Sequence, residues 1–361
     1  MPEGERATRR FRTAARSGDM FGYVTVPNNE RCGDGKDLYY CAQKIQPCTS
    51  LGEGVDMLWS FRRLVKSNKY AESLARPLYQ RARNLSLVRA ARRRKLAGSY
   101  YHDQISHMRS WARLWTEEDN FYYSLTPNNR EDLASLLASI IGTNPGQIRV
   151  YIDELLADVS LRNHIPSYWS TDETMRDATL GYGRREGWYA LVRALKPRLV
   201  VETGVHHGVG ACVLTSALLR NAEEGYRGIY VGTDIDPSAG ALMSGPYAEV
   251  GSIHYGDSLE TLRNLAGPID LFINDSDHSA SYEAREYRAV AGKLAPRSLI
   301  LGDNSHATGS LRDFARETGR PFLFFREQPK DHWYPGAGIG LCPSLIPYFD
   351  PDPYESSVSQ N

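Results

Sequence analysis

From residue 196 onward, short β-rich runs alternate with helical patterns, and this alternation restricts the fold more than any other feature of the chain. Strand–helix alternation at this spacing is typical of a parallel, doubly wound α/β sheet. In such sheets ligands bind beyond the carboxyl ends of the strands, where the strand order reverses. The predicted strands cover residues 199–201, 228–233, 252–255, 269–274, 299–302, 322–325 and 337–342.

The preceding residues predict a mainly helical auxiliary region. Within residues 126–158, Thr126 and Asn144 each precede a proline, which is typical of a helix start, and Gly142 is typical of a helix end. We predict an irregular N-terminal segment (1–55), a helical auxiliary or cap region (56–180), a sheet domain (181–345) and a C-terminal tail (346–361). A polar linker over residues 166–182 and a helix over 185–194 are expected near the junction.

The charge of the chain is unevenly distributed. The formal net charge is zero, with 43 basic and 43 acidic residues, which argues against a general nucleic-acid binder. However, residues 1–100 hold 20 basic and 9 acidic side chains, whereas residues 101–361 hold 23 and 34. A predicted helix over residues 81–95 concentrates the basic charge. We favour a solvated helix face there, the alternative being a contact for an anionic ligand, a membrane surface or nucleic acid.

Cysteine usage and hydropathy indicate a cytoplasmic protein. The five cysteines are an odd number without a Cys-x-x-Cys pair, which is typical of free thiols and does not favour a zinc site. No apolar run is long enough for a transmembrane helix, and the basic N-terminus lacks the apolar segment of a secretory signal. We therefore expect no membrane span.

A glycine loop follows the first predicted strand, with the pattern Glu202-x-Gly204-x-x-x-Gly208-x-Gly210. Gly204 permits a sharp turn, and the two later glycines let a ligand approach the backbone at the start of the next helix. The spacing differs from both the dinucleotide G-x-G-x-x-G motif and the P-loop. No Lys-Ser or Lys-Thr pair follows the loop, which argues against an NTPase.

Acidic residues follow the next two strands. Asp234, with Asp236 as the second candidate, lies where it could accept both hydroxyls of a ribose. Asp257, followed by Ser258, lies where it could meet an adenine amino group. Each acid could instead be a helix N-cap. Their position at successive strand ends behind a glycine loop favours ligand binding.

The segments 202–210, 233–237 and 256–258 resemble motifs of the class I S-adenosylmethionine (SAM)-dependent methyltransferases, over about residues 180–345. The resemblance implies a Rossmann-like, doubly wound seven-stranded α/β sheet whose final strand is antiparallel. It implies SAM as the cofactor. The donor-binding residues implied in this way are Glu202, Gly204, Gly208, Gly210, Asp234, Asp236, Asp257 and Ser258.

Oxygen-bearing side chains also follow the fourth and fifth strands. Asp275 and Asp277 follow one strand, and Asp303 and Asn304 end its neighbour. Adjacent parallel strands lie about 5 Å apart, so these side chains should converge beside the donor. Such hard oxygen ligands suit Mg²⁺, which would orient and acidify a substrate hydroxyl. The alternative is a metal-free enzyme in which the acids only form hydrogen bonds.

This pattern resembles metal-dependent small-molecule O-methyltransferases, both the catechol type and, more closely, the sugar-hydroxyl type of antibiotic pathways. The resemblance implies that Asp275, Asp303 and Asn304 are the metal ligands. It implies Asp277 as the general base, with His278 or His306 as alternatives.

We therefore expect a SAM-dependent O-methyltransferase that acts on a hydroxylated small molecule, such as a sugar or glycosylated natural product. The first alternative is an RNA-directed methyltransferase that uses the basic helix, although a nucleic-acid partner is disfavoured. The second is a SAM-binding protein with other chemistry. The sequence is compatible with a homo-oligomer and does not identify the acceptor.

Overall fold

The computed structural model describes residues 84–113, 122–169, 181–303 and 305–348. Residues 84–109 and the residues from 110 onward belong to two compact units, which are described separately. The first unit contains helix α1 (Ser86–Tyr100) and most of helix α2 (His102–Trp111). Predicted residues 81–83 of the basic helix lie outside the described residues, and from Ser86 the helix is present and mostly solvent-exposed.

The second unit is built around seven strands. They are β1 (Leu199–Thr203), β2 (Ile229–Asp234), β3 (Gly251–Tyr255), β4 (Ile269–Asn274), β5 (Leu294–Asp303), β6 (Leu323–Arg326) and β7 (Gly338–Pro343). Its helices are α3 (Pro127–Ile141), α4 (Pro145–Ala157), α5 (Val159–Trp169), α6 (Arg185–Leu195), α7 (Val209–Glu223), α8 (Pro246–Glu249), α9 (Ser258–Asn264), α10 (Ala280–Ala291) and α11 (Ser310–Thr318).

The strands form one mixed sheet in the order β3-β2-β1-β4-β5-β7-β6. The first five strands in this order are parallel, whereas β7 runs antiparallel to both β5 and β6. Because β1 has β2 on one side and β4 on the other, the crossovers diverge there and open a crevice at the carboxyl edge. The predicted Rossmann-like seven-stranded sheet is confirmed.

The central strands are buried because helices cover both faces of the sheet. All five residues of β1 and all six of β7 are buried, as expected for strands without a solvent face. One apolar cluster contains Trp188 and Tyr230, and a second contains Phe272 and Tyr287. The two layers of helices hold the sheet between them and leave its carboxyl edge for ligands.

Helices α3 and α4 begin and end where the sequence predicts. Thr126 accepts a hydrogen bond from the Asn129 backbone N–H, and Asn144 accepts one from Gly146. Gly142 ends α3 in the left-handed conformation, with φ of 70°. Buried side chains of both helices belong to the same apolar cluster as the central sheet. The predicted division of the chain near residue 180 stays a prediction.

The linker predicted over residues 166–182 is wrong at its start, because α5 extends to Trp169. Two interactions favour helix there. The Asp158 carboxylate accepts a hydrogen bond from the Leu161 N–H, which caps the helix. Leu161 and Ile165 are fully buried one turn apart. This packing outweighs the unfavourable effect of Pro166 within the helix. Residues 170–180 lie outside the described residues.

Within the described part of the chain, no helix combines the length and the apolar character needed to cross a membrane.

Replacing Leu137 by alanine tests whether α3 contributes to the same core as the sheet. Leu137 is fully buried, and its Cδ1 would lie 3.6 Å from a Cβ on Gly187 of α6. We expect a loss of about 2–5 kcal/mol in the free energy of unfolding, measured by urea denaturation. The matched control is the exposed Ser135→Ala on the same helix. A shift no larger than that of the control would contradict the shared core.

Candidate active site

The glycine loop is locked against the turn that follows β4. A Cβ on Gly204 would lie 2.0 Å from the carbonyl oxygen of Asp275, and its φ is +85°, so only glycine fits. The Gly204 N–H donates to the Thr233 carbonyl at 2.8 Å, and the Asp275 N–H donates to the Thr203 carbonyl at 2.9 Å. The loop and the acidic turn are therefore held at a fixed distance.

The two later glycines make room for other parts of the protein. Gly208 precedes α7 with φ of +96°, and its Cβ would lie 3.2 Å from the Gly240 Cα. A Cβ on Gly210 would lie 2.6 Å from Glu202 Oε1 and 2.9 Å from the Trp188 ring. Gly210 thus leaves space for the Glu202 carboxylate, a packing role that sequence spacing did not reveal.

Glu202 is a buried acid at the end of β1. Only 2% of its surface is exposed, and the Tyr230 hydroxyl donates a hydrogen bond to its carboxylate. Burial raises the pKa of Glu202 to about 7, although the bond from Tyr230 opposes the shift. A cationic group bound beside this carboxylate would favour its ionised form.

The acids after β2 support the glycine loop. Asp234 Oδ2 accepts hydrogen bonds from the N–H groups of Val205 and His206, at 2.9 and 2.8 Å. Its Oδ1 accepts from the Asp236 N–H at 2.9 Å. Asp236 in turn accepts from the Ser238 N–H at 2.8 Å. Both acids therefore stabilise backbone turns at the edge of the crevice, and their role toward a ribose stays a prediction.

Asp257 caps α9. Its Oδ1 accepts hydrogen bonds from the Leu259 N–H at 2.9 Å and from the Tyr282 hydroxyl at 2.7 Å. These bonds lower the pKa of Asp257. Ser258, by contrast, is buried, and its hydroxyl donates to Glu286. Contact of Asp257 with an adenine stays a prediction.

The turns after β4 and β5 bring together Asp275, His278 and Asp303. One ligand atom from each residue lies within 4.8 Å of the other two. Asp275 directly follows β4 and Asp303 ends the adjacent β5, so the register of the two strands juxtaposes them. His278 Nε2 lies 3.7 Å from Asp275 Oδ1. We call these three residues the acid–histidine cluster.

Two carboxylates this close cannot both ionise freely. Burial and the charge of Asp303 raise the pKa of Asp275 well above its ordinary value. Burial alone would also raise the pKa of Asp303, but Arg184 and a hydrogen bond from Asp275 hold it below its ordinary value. Without a further cation, the pair is therefore poised to share one proton.

Arg184 is a functional candidate that the sequence analysis missed. Its Nη2 donates to Asp303 Oδ2 at 2.7 Å and its Nε contacts Oδ1, which forms a buried bidentate ion pair. Its backbone N–H donates to Glu327 Oε1 at 2.7 Å. Gly183, with φ of +54°, makes the turn that presents Arg184 to the site. The only local signal was this glycine, because Asp303 lies 119 residues away.

The other predicted candidates lie elsewhere. Asp277 is exposed, and its Oδ1 accepts a hydrogen bond from the Ser279 N–H at 2.8 Å, so it stabilises the turn before α10. His306 is also exposed and does not belong to the acid–histidine cluster. Asn304 lies outside the described residues.

His278 is oriented by a second acid. Its Nδ1 lies 3.8 Å from Oε1 of the buried Glu283, and the Thr308 hydroxyl donates to the other oxygen of that carboxylate. Burial would lower the pKa of His278, but Glu283 and Asp303 together raise it. The imidazole thus has Nδ1 toward Glu283 and Nε2 toward Asp275.

Comparison with known proteins agrees with this architecture. Residues 201–305 match the family model described as a methyltransferase domain. No curated protein matches the chain.

Similar solved structures include the O-methyltransferase TomG from Streptomyces achromogenes, with 17% identity over 55% of this chain and 95% of that chain, at a TM-score of 0.41. An O-methyltransferase from Bacillus cereus shows 14% identity over 55% of this chain and 99% of that chain, at a TM-score of 0.39. A putative caffeoyl-CoA O-methyltransferase from Staphylococcus aureus shows 12% identity over 56% of this chain and 100% of that chain, at a TM-score of 0.39.

The strand order, with β7 antiparallel between β5 and β6, defines a Rossmann-like methyltransferase sheet. Together with the match of residues 201–305 to the methyltransferase-domain model, it supports a class I SAM-dependent methyltransferase domain in this part of the chain.

Replacing Gly204 by alanine should disrupt the loop. The added Cβ would meet the Asp275 carbonyl, and the positive φ adds about 1–3 kcal/mol of strain. We expect a lower melting temperature and loss of S-adenosylhomocysteine (SAH) binding in calorimetry. The control is Gly292→Ala, where nothing lies within 4 Å of the new Cβ. Unchanged SAH affinity in the Gly204 variant would contradict the role of this loop.

The affinity for SAH should depend on pH through Glu202. Since its pKa is raised to about 7, the ionised fraction rises steeply between pH 6 and pH 8. If the ionised form pairs with the amino group of the donor, SAH affinity should increase about tenfold over this range. Glu202→Gln should remove this dependence. A flat profile for the wild-type protein would refute the assignment.

Proposed function

We propose that this chain transfers a methyl group from SAM to a hydroxyl of a small molecule. The observation that carries the proposal is the acid–histidine cluster, which lies at the carboxyl ends of β4 and β5. Gly204 packs directly against the Asp275 backbone. A donor in the glycine loop would therefore lie next to these three side chains.

The donor site is assigned to the ends of β1, β2 and β3. Glu202 is the candidate for the methionine amino group, Asp234 for the ribose hydroxyls and Asp257 for the adenine. Support comes from their position at three neighbouring strand ends that face one crevice. Gly204, Gly208, Gly210, Asp236 and Ser258 shape the surrounding turns.

His278 is the best candidate for the general base. Glu283 lies beside Nδ1, while Nε2 lies 3.7 Å from Asp275. An imidazole oriented by an acid on one nitrogen leaves the other nitrogen to accept a proton. Asp277 and His306 are weaker candidates because both are exposed and separate from the cluster.

A divalent cation is part of this proposal, and the donor set fits one. Asp275 and Asp303 offer hard oxygen atoms that are close enough to share an ion, and in this proposal His278 acts as the base and not as a ligand. The ion pair with Arg184 does not use all the lone pairs of Asp303. Asn304 would complete the ligands that the motif implies. A bound Mg²⁺ would lower the pKa of the acceptor hydroxyl.

The protein must align the reactants and manage one proton. The acceptor oxygen has to lie about 3 Å from the sulfonium methyl, in line with the bond that breaks. As the new O–CH₃ bond forms, the C–S bond breaks and its electron pair stays on sulfur, which gives SAH. The hydroxyl proton passes to His278 Nε2. Arg184 keeps Asp303 oriented and ionised during this step.

The acceptor is proposed as a hydroxylated small molecule, with sugars and glycosylated natural products as the first compounds to test. The alternatives, RNA methylation and SAM chemistry other than methyl transfer, have no separate observation in their favour. The exposed basic helix α1 does not itself identify a partner.

The proposal is tested by incubating the full chain with SAM, Mg²⁺ and a panel of hydroxylated acceptors, with SAH and a methylated product detected by mass spectrometry. His278→Ala should lower kcat about 10²- to 10⁴-fold, the usual contribution of a general base. Asp275→Ala and EDTA should lower turnover if the cation is required. Asp313→Asn, a change to a half-exposed side chain on α11 outside the cluster, is the control. Wild-type activity in His278→Ala would overturn the assigned base.

A further inference from the structure

Glu286 on α10 is a fully buried acid with no role in the function proposed above. Its carboxylate accepts hydrogen bonds from the Ser276 hydroxyl at 2.7 Å, from the Asn274 amide and from the Ser258 hydroxyl. Thr203, at the end of β1, is a further hydrogen-bond donor to it. A single side chain thus gathers donors from the ends of three strands.

Core packing alone does not explain why a carboxylate is buried at position 286. Burying a carboxylate is costly unless its oxygens are well satisfied. Here the donors named above are neutral, and Glu286 forms no ion pair with another residue in the described part of the chain. An apolar side chain could fill the same space at lower cost. What the carboxylate adds is directional bonding, which fixes the turns that carry the donors.

One of these turns carries the acid–histidine cluster. Asn274 and Ser276 are the two neighbours of Asp275 in the sequence, and Glu286 binds both. The Asp275 N–H is itself bonded to the Thr203 carbonyl. The backbone on each side of Asp275 is therefore anchored, and His278 follows two residues after Ser276.

The other turn belongs to the donor side. The Ser258 hydroxyl lies 2.9 Å from the Tyr282 hydroxyl, which donates to Asp257. Tyr282 and Glu286 lie one turn apart on α10. One face of this helix thus reaches both the turn assigned to the adenine and the turn that presents Asp275.

We propose that Glu286 is a positioning residue, which sets the distance between the bound donor and the acid–histidine cluster by holding the turns after β3 and β4. This role rests on the proposed methyl transfer. Glu286 would not touch donor or acceptor. A displacement of about 1 Å between reacting groups can cost about 100-fold in rate, so its loss should affect turnover more than binding.

The test is Glu286→Gln in the full chain, with kcat, the acceptor KM and SAH affinity measured together. Glutamine keeps the size but points an N–H group at side chains that donate. We expect kcat to fall about 10- to 100-fold, with the acceptor KM and the SAH Kd changing less than about fivefold. Crystal structures of variant and wild type should show a shifted 275–278 turn.

Two further variants separate positioning from stability. Glu186→Gln removes another fully buried carboxylate, which pairs with Arg130 away from the site, and should lower the melting temperature without lowering kcat. Ser276→Ala removes one bond to Glu286 and should lower kcat about 3- to 10-fold in a folded protein, even if Glu286→Gln fails to fold.

The outcomes distinguish this role from the proposed function. An active wild type with unchanged kcat in both Glu286→Gln and Ser276→Ala overturns the positioning role alone. Equal losses of kcat in Glu186→Gln and Glu286→Gln also overturn it, because general destabilisation would then explain both. A wild type that binds SAH but methylates no acceptor in the panel counts against the proposed function.

Discussion

The close approach of Gly204 to the Asp275 carbonyl is the constraint on which the site depends. Since no side chain fits between them, the loop after β1 and the turn after β4 behave as one rigid unit. Hydrogen bonds from Gly204 to Thr233 and from Asp275 to Thr203 fix this unit to three central strands. The donor loop and the acidic turn therefore cannot move independently without breaking the carboxyl edge of the sheet.

The strand ends that form the acid–histidine cluster also bring several buried charges close together. Asp275, Asp303 and the nearby Glu327 place three carboxylates in a buried region, and Arg184 supplies one fixed positive charge between two of them. Truncating Arg184 would leave uncompensated buried charge, which is strongly unfavourable. The remaining excess of negative charge is what a divalent cation, or a proton shared with Asp275, would neutralise.

The sheet could be predicted because its signals are local, whereas the site's supporting residues depend on distant partners. Each core strand contains a short apolar run that the sequence shows directly. Thr126 and Gly142 likewise act on the ends of the helix to which they belong. The polar composition of residues 166–182 predicts a linker, whereas α5 extends to Trp169 because tertiary packing buries Leu161 and Ile165. Arg184 was missed because its partners come from β5 and the segment after β6. Tertiary contacts of this kind leave no pattern in one sequence.

The acids at the strand ends have structural partners, and these do not exclude ligand binding. Asp234 accepts three backbone hydrogen bonds, two on Oδ2 and one on Oδ1, whereas an ionised carboxylate offers about four lone-pair positions. The position that remains is on the oxygen with one partner. An acid already held by the loop is pre-oriented, so a ribose would bind it without a further loss of side-chain entropy. The bonds to the loop are therefore compatible with the proposed contact to a ribose, and they orient the acid for it.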